Sequence, residues 1–333
     1  MSRYYRADLE RHLPVSTEIT GYTLSALLWL HDRTGEPAYL DRARAAARFL
    51  CQTWDGHAMP FETELGPDGR FTYFFDNGII VRGFLAAWRV TNGQEFLDVA
   101  VSLGRAMATD FAGHDGDYHP ILTLPDKQPL PRDASRWSRD AGCYQLKSAM
   151  AWWDLAEATG EAHFRQLYEH VLEAALRNYG AFLPGHPDRL KVVDRLHAFL
   201  YFLEGLLPRA GEKRCSAALC HGIQRASQIV EETAADFERS DVYAQLLRIR
   251  VYADWAAATP LDTAAAHREA GRLAGFQTNS GDPRVAGGFS FGRKAGEWLP
   301  YVNPVSTAFA LQALALWDHH QRGGPAVPAN VLI

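Results

Sequence analysis

An internal repeat constrains this chain more than any other feature. Thr34-Gly35-Glu36-Pro37-Ala38-Tyr39-Leu40-Asp41 is echoed by Thr91-Asn92-Gly93-Gln94-Glu95-Phe96-Leu97-Asp98 and, more weakly, by Thr159-Gly160-Glu161-Ala162-His163-Phe164-Arg165. Repetition at such periods marks a supersecondary unit that buries its apolar face against copies of itself. The stretches before the echoes, 22–30, 79–90 and 146–158, are apolar around most of their circumference. Helices of that kind need cover on every side. The stretch after each echo carries a single stripe, as in Leu40, Ala43, Ala47 and Leu50 with Arg42, Arg44 and Arg48 between, which predicts a half-exposed helix. Weaker copies continue the series: inner 196–207 with outer 212–230, inner 242–257 with outer 262–276, and inner 305–317.

Six inner helices are therefore predicted, starting near Thr17, Asp76, Gly142, Asp194, Asp241 and Pro304, at intervals of 47 to 66 residues that each hold one helical hairpin. Six such hairpins close most simply into an (α/α)6 toroid, because an open solenoid shows atypical polar repeats at its ends and this pattern has none. The segment 4–12 is a candidate for the last outer helix. Strand signals are confined to loop stretches such as 70–74, so the expectation is an all-α fold, a single toroid domain over residues 1–333.

Composition narrows the partners. Of 333 residues 47% are hydrophobic and 22% charged, which lies in the globular range. A net charge of −5 without any basic block argues against nucleic acid as a partner. Cys51, Cys143, Cys215 and Cys220 fall in predicted helices with no repeated CxxC spacing, so reduced thiols are expected rather than a disulfide framework or a zinc cage. Residues 1–13 have no apolar core of signal-peptide length and nowhere do 18 apolar residues run together, so the expected protein is soluble and cytoplasmic, with no membrane insertion. Its oligomeric state does not follow from the sequence.

Connection lengths break the symmetry of the repeat. Turns leaving the inner helices are short, whereas the returns at 53–75, 111–141 and 277–303 are long, and long structured loops usually carry function. They gather where inner helices begin, and helix N-termini favour anions or hydroxyls. Glu18 and Asp76 at two of those starts have two readings, helix cap or reacting acid. Inner helix 3 adds Tyr144 and Lys147; inner helix 4 adds His197 and Tyr201 on one face; inner helix 5 adds Asp241, Arg248 and Arg250. Charges on such apolar helices need water or partners, so Lys147, His197, Arg248 and Arg250 either line a wet pocket or form structural ion pairs. Asn77 follows Asp76, and Trp298, Tyr301 and Asn303 precede inner helix 6, where flat rings suit a sugar as well as a lid.

Other constellations are weaker. His114-Asp115-Gly116-Asp117-Tyr118-His119 matches no ligand spacing and reads as a solvated loop; no metal site is expected. The run 287–294 lacks the phosphate-loop spacing and reads as a tight turn into the last helix; no cofactor is expected.

Ser16-Thr17-Glu18-Ile19-Thr20-Gly21-Tyr22, with the Thr-Gly turns, is similar to the opening of toroids associated with bacterial polysaccharide biosynthesis. Phe75-Asp76-Asn77-Gly78-Ile79-Ile80 resembles helix starts in the glucuronyl C5-epimerase C-terminal domain and in unsaturated glucuronyl hydrolases. The resemblance implies a sugar-processing pocket at the N-terminal rim of the inner helices, often for uronic acids, with Asp76 at a position for a carboxylate. Gly287-Gly288-Phe289 leading into Pro304-Val305-Ser306-Thr307-Ala308 is similar to repeats of squalene cyclases and prenyltransferase β subunits, but the chain lacks their Asp-x-Asp-Asp acid and a zinc set.

The expected function is thus a carbohydrate-active enzyme acting on a saccharide or uronate-containing glycan in a central pocket, by hydrolysis, elimination or epimerisation. In hydrolysis Asp76 and Glu18 or Asp241 divide the acid and base roles, and their separation sets retention or inversion. In epimerisation or elimination Tyr144, Tyr201 or His197 takes the proton while Arg248 or Lys147 holds a uronate carboxylate. The alternatives are a non-catalytic saccharide-binding or scaffold protein of a polysaccharide system and a terpenoid cyclase or prenyltransferase-like enzyme, whose site needs nearly uncharged aromatic walls.

Overall fold

The computed structural model describes residues 1–62, 70–113 and 116–333; His114 and Asp115, and part of the loop 53–75, lie outside them. In chain order its elements are strands β1 (Tyr5–Arg6) and β2 (Arg11–His12), helices α1 (Thr17–Thr34) and α2 (Pro37–Thr53), strand β3 (Arg70–Tyr73), helices α3 (Phe74–Thr91) and α4 (Gln94–Asp110) and strand β4 (Ile121–Leu124). Helices α5 (Gln145–Thr159), α6 (Ala162–Asn178), α7 (Arg189–Gly205) and α8 (Lys213–Thr233) follow, then strand β5 (Phe237–Arg239) and helices α9 (Ser240–Trp255) and α10 (Thr263–Ala274). Strands β6 (Gly292–Lys294), β7 (Glu297–Trp298) and β8 (Tyr301–Val302) lead to helix α11 (Pro304–Gln321). The chain divides into two compact units, one made of Met1–Arg3, Pro14–Ala175 and Asn330–Ile333, the other of Tyr4–Leu13 and Leu176–Ala329.

The first unit holds three hairpins, α1–α2, α3–α4 and α5–α6. Its repeated sequence is a repeated turn. Each buried helix ends on a left-handed residue, Gly35 at φ 70°, Asn92 at φ 53° and Gly160 at φ 75°, where glycine or asparagine is favoured. The preceding threonine closes the turn each time. Thr34, Thr91 and Thr159 donate through Oγ1 to the carbonyls of Leu30, Ala87 and Leu155 at 2.7–2.8 Å, and accept from the amides of Glu36, Gly93 and Glu161 at 3.1–3.2 Å. Helix α3 packs between α1 and α5, and is buried on nearly all faces as its composition predicts. Gly78 permits the contact with α5, since a Cβ there would lie 2.5 Å from the Ser148 carbonyl oxygen. The charge of Arg82 inside α3 is met by Asp154 of α5 at 2.9 Å and the Leu332 carbonyl at 2.9 Å. Strand β3 pairs with β4, Tyr73 opposite Ile121, and runs directly into α3.

The second unit places α9 between α7 and α11, with α8 and α10 as amphipathic partners. Arg248 is fully enclosed: its Nη2 donates to Glu204 of α7 at 2.6 Å, its Nη1 to Gln312 of α11 at 3.0 Å, and its guanidinium carbon lies 3.9 Å from the Phe309 ring centroid. Strands β5, β6 and β7 form one small sheet, and β2, β1 and β8 another.

That last sheet corrects an expectation. Residues 4–12 are not an outer helix but a β-hairpin, with Tyr5 opposite His12 and Val302. The Ala7 amide donates to the Pro300 carbonyl at 2.9 Å, and Glu10 turns at φ 47°. A segment this short is a marginal helix, and β8 offers it strand partners that a helix would leave unused. Two smaller corrections follow: Cys143 lies in the turn before α5, and the run 287–294 enters β6 before the last helix is reached. No helix among the described residues is long and apolar enough to cross a membrane.

Candidate functional site

In the first unit the starts of α1 and α3 bring two acids together. Ser16 caps α1, its Oγ accepting from the Ile19 amide at 3.4 Å, while α3 starts on Tyr73 with no side-chain cap among the described residues. Neither Glu18 nor Asp76 is therefore engaged as a cap. The segment 60–62 crosses the start of α1, where the Thr17 hydroxyl donates to the Pro60 carbonyl at 2.7 Å. It carries Glu62, which accepts from Arg3 Nη1 at 3.1 Å. The Arg3 guanidinium also lies 4.9 Å from the Phe61 ring, which packs on Tyr73 at 5.0 Å.

Against this wall Asp76 is buried, and its Oδ2 has no hydrogen-bond partner among the described residues. Burial pushes its carboxyl well above the ordinary range, and the like charge of Glu18 adds to that; Arg3 opposes both. Burial likewise lifts Glu18 to about 7 against the pull of Arg3. The Tyr73 phenol is pushed up to about 12, first by burial and then by Asp76. Asn77 holds the strand-to-helix junction through Nδ2, which donates to Thr72 Oγ1 at 2.9 Å and the Tyr73 carbonyl at 2.6 Å. Tyr144 donates to the Asp140 carbonyl at 2.9 Å and meets Trp137 edge-on; burial raises its phenol far above the usual value. Lys147 is fully buried, its Nζ donating to the Ile333 carbonyl at 3.2 Å.

The second unit has its own cluster, where the first half of α7 meets the start of α9. Arg239, at the end of β5, grips Asp241 with two donors, Nε at 3.0 Å and Nη2 at 2.6 Å, and reaches Asp194 with Nη1 at 2.7 Å. Burial alone would raise the Asp241 carboxyl, but Arg239, with His197 beside it, holds it below its ordinary value. His197 Nδ1 lies 2.7 Å from Gln245 Oε1 and 3.6 Å from Asp241 Oδ2. The Gln245 oxygen as acceptor, with the Asp241 charge nearby, places the proton on Nδ1 and leaves Nε2 with its lone pair. Burial depresses His197 to about 4, outweighing the attraction of Asp241. Tyr201, one turn on, meets the imidazole edge-on at 4.5 Å.

The remaining predicted positions in that unit have protein partners of their own. Asn303 caps α11, accepting from the Val305 amide at 2.7 Å and the Ser306 amide at 3.3 Å. Tyr301 packs between Tyr4 at 5.3 Å and Phe291 at 5.9 Å, and Trp298, half exposed on β7, meets Phe276 edge-on at 5.4 Å. Arg248 has the enclosed ion pair described above, the structural alternative that its sequence context left open. Two residues that matter were not singled out. Arg239 sits in a strand of three residues, where alternation carries too little signal, and Arg3 is brought to Glu18 and Asp76 by long-range pairing.

No family model and no curated protein matches the sequence. Solved structures do. The cellobiose 2-epimerase from Bacillus thermoamylovorans B4167 aligns with a TM-score of 0.70 at 13% identity over 94% of this chain and 92% of that one. A sugar epimerase from a ruminal bacterium gives 0.69 at 11% identity over 98% and 93%, and a D-mannose isomerase 0.69 at 9% over 96% and 92%. The fold is the (α/α)6 toroid. At these identities the likeness is one of fold, and it meets the architecture that the repeat and the six-hairpin resemblance implied.

Proposed function

We propose that this toroid chain is an enzyme acting on a saccharide or uronate-containing glycan, with Glu18 and Asp76 as its proton-transfer groups. The observation that carries the reading is the carboxyl pair at the starts of α1 and α3, one member buried with a bare oxygen and both raised towards neutrality. Two carboxyls raised in this way keep protons at a pH where a solvated carboxylate is ionised, which lets one serve as acid while the other serves as base. In hydrolysis the protonated member gives its proton to the departing glycosidic oxygen while the ionised one assists water or the anomeric carbon. The likeness in fold to two sugar epimerases and a mannose isomerase supports the substrate class.

A second reading has its own support. His197 is a neutral imidazole whose Nε2 has no hydrogen-bond partner among the described residues, and the Asp241–Arg239 pair beside it is a fixed charge arrangement, which suits proton abstraction next to a sugar carbonyl or carboxylate once a substrate offsets the burial that weakens the base. In that reading epimerisation replaces hydrolysis. No disulfide joins any of the four cysteines among the described residues, which fits a reducing compartment such as the cytoplasm.

One experiment separates the readings. Neutral and uronic oligosaccharides are incubated with the protein in D2O and followed by NMR. New reducing ends, abolished by Asp76→Asn, support the carboxyl pair; deuterium at a ring carbon, abolished by His197→Asn and kept in Asp76→Asn, supports the second reading. Saccharide binding without turnover makes the chain a binding protein, and turnover unchanged in both Glu18→Gln and Asp76→Asn removes the leading proposal.

A further inference from the structure

A separate cavity of about 650 Å³ lies in the second unit between α8 and α10, with α9 as its floor. Its size is that of small-molecule sites, and apolar side chains such as Ile223, Val230 and Pro260 alternate in its wall with guanidinium and carboxyl groups. Arg250 rises from the floor, 7% exposed. Its Nε lies 2.9 Å from both Glu269 oxygens and its Nη2 donates to Ser227 Oγ, while Nη1 has no protein partner among the described residues. Arg268, exposed on the same wall, has no hydrogen-bond partner among the described residues either.

We propose that this cavity binds a small organic anion, a carboxylate or phosphate carried on a polyol, which takes the place of Glu269 on Arg250 while Arg268 closes over it. Three arginines and three carboxylates line the cavity, so its charge turns in favour of such a guest when one carboxylate takes a proton. From α8 the cavity receives Cys220 and Glu231, from α9 Tyr243 and Arg250, and from α10 and the residue before it Arg268, Glu269, Arg272 and Asp262. Asp262 is engaged as the cap of α10, accepting from the Ala265 amide at 2.9 Å, and Arg272 donates to Glu238 at 3.2 Å. Glu269 is thus the carboxylate set directly against the floor arginine. When it takes a proton, the cavity gains one net positive charge. Burial lifts Glu269 to about 7, against the pull of Arg250 and Arg268, so that exchange falls near neutral pH. Anion affinity then rises as pH falls through about 7, and by reciprocity binding draws in a proton.

Calorimetry with inorganic phosphate, glucuronate and, as the uncharged control, glucose tests this at pH 6 and pH 8 in two buffers of different ionisation enthalpy. The expected result is that phosphate or glucuronate, whichever names the source of the anion, binds about tenfold tighter at pH 6, with proton uptake, and that glucose does not. Arg268→Ala, at an exposed position where folding is safe, should weaken the anion about tenfold, a difference of about 1.4 kcal/mol. Glu269→Gln should bind at pH 8 as the wild type does at pH 6. Asp76→Asn should leave the affinity for inorganic phosphate unchanged, which separates this cavity from the carboxyl pair. Absence of anion binding, equal binding of glucose, or affinity unmoved by both Arg268→Ala and Glu269→Gln overturns the proposal.

Discussion

A carboxyl group buried beside a second one keeps its proton at pH values where a solvated carboxylate has lost it, and Asp76 meets both conditions. Replacing it by asparagine keeps the shape and removes the proton, so turnover should fall by about 10²–10⁴, the range for one general acid or base, while folding is retained. Steady-state kinetics beside an equilibrium unfolding curve check both halves of that statement. His197 makes the opposite prediction: with its value near 4, its ring proton signals should stay unshifted from pH 8 to pH 5 and move only below that. Titration centred near 6.5 would instead mean a solvated imidazole. Glu18, Asp76 and Asp241 stand out in the sequence because an acid in the first turn of an apolar helix is conspicuous, and His197 because it is a base among apolar neighbours within one. The fate of Arg248 and Lys147 does not, since periodicity marks a residue as inward-facing without saying whether water or a carbonyl meets it there. Glu204, the partner of Arg248, lies 44 positions away on α7, a separation that no local pattern reaches.

At the scale of elements, the repeated turn has a measurable cost of substitution. Gly160 sits at φ 75° with open space around its missing Cβ, so Gly160→Ala meets no clash and carries only the left-handed backbone penalty of about 1–2 kcal/mol. Asn92→Gly at the matching position should stabilise slightly, and urea midpoints of the two variants should move in opposite directions. Gly78→Ala is a different case, because its Cβ would meet Ser148 backbone atoms that cannot rotate away. Helix α3 must then shift from α5, at a cost of about 1–3 kcal/mol or more. Turn chemistry of this kind is why the hairpins could be read from the sequence: Thr-Gly closes a helix by contacts within six residues. The N-terminal hairpin was illegible for the converse reason, its strand character being set by Tyr301 and Val302 at the far end of the chain.

For the molecule as a whole, the same buried groups set how stability depends on pH. Glu18 and Glu269 release their protons near 7 in the folded chain and close to their ordinary value when unfolded, and Asp76 is raised in the same sense. Between those limits the folded state binds more protons, so stability declines as pH rises from about 4.5 to about 7. His197 acts in the other direction, since the unfolded ring charges near 6.5 and the folded one near 4. Three carboxyls outweigh one imidazole. Below about 4 a third group takes over: Asp55 and Asp262, held low by backbone amides, Asp133 by Ser135 and Asp282 by Arg284, all lose their partners on protonation. Stability should therefore peak between about pH 4 and 4.5 and fall as pH rises to about 7, where Glu18 and Glu269 have both ionised. Denaturant midpoints across pH 4–8 measure the curve. The combined variant Glu18→Gln, Asp76→Asn and Glu269→Gln should flatten its alkaline limb, since an amide cannot ionise, and a limb that stays as steep would place the titrating groups elsewhere in the chain.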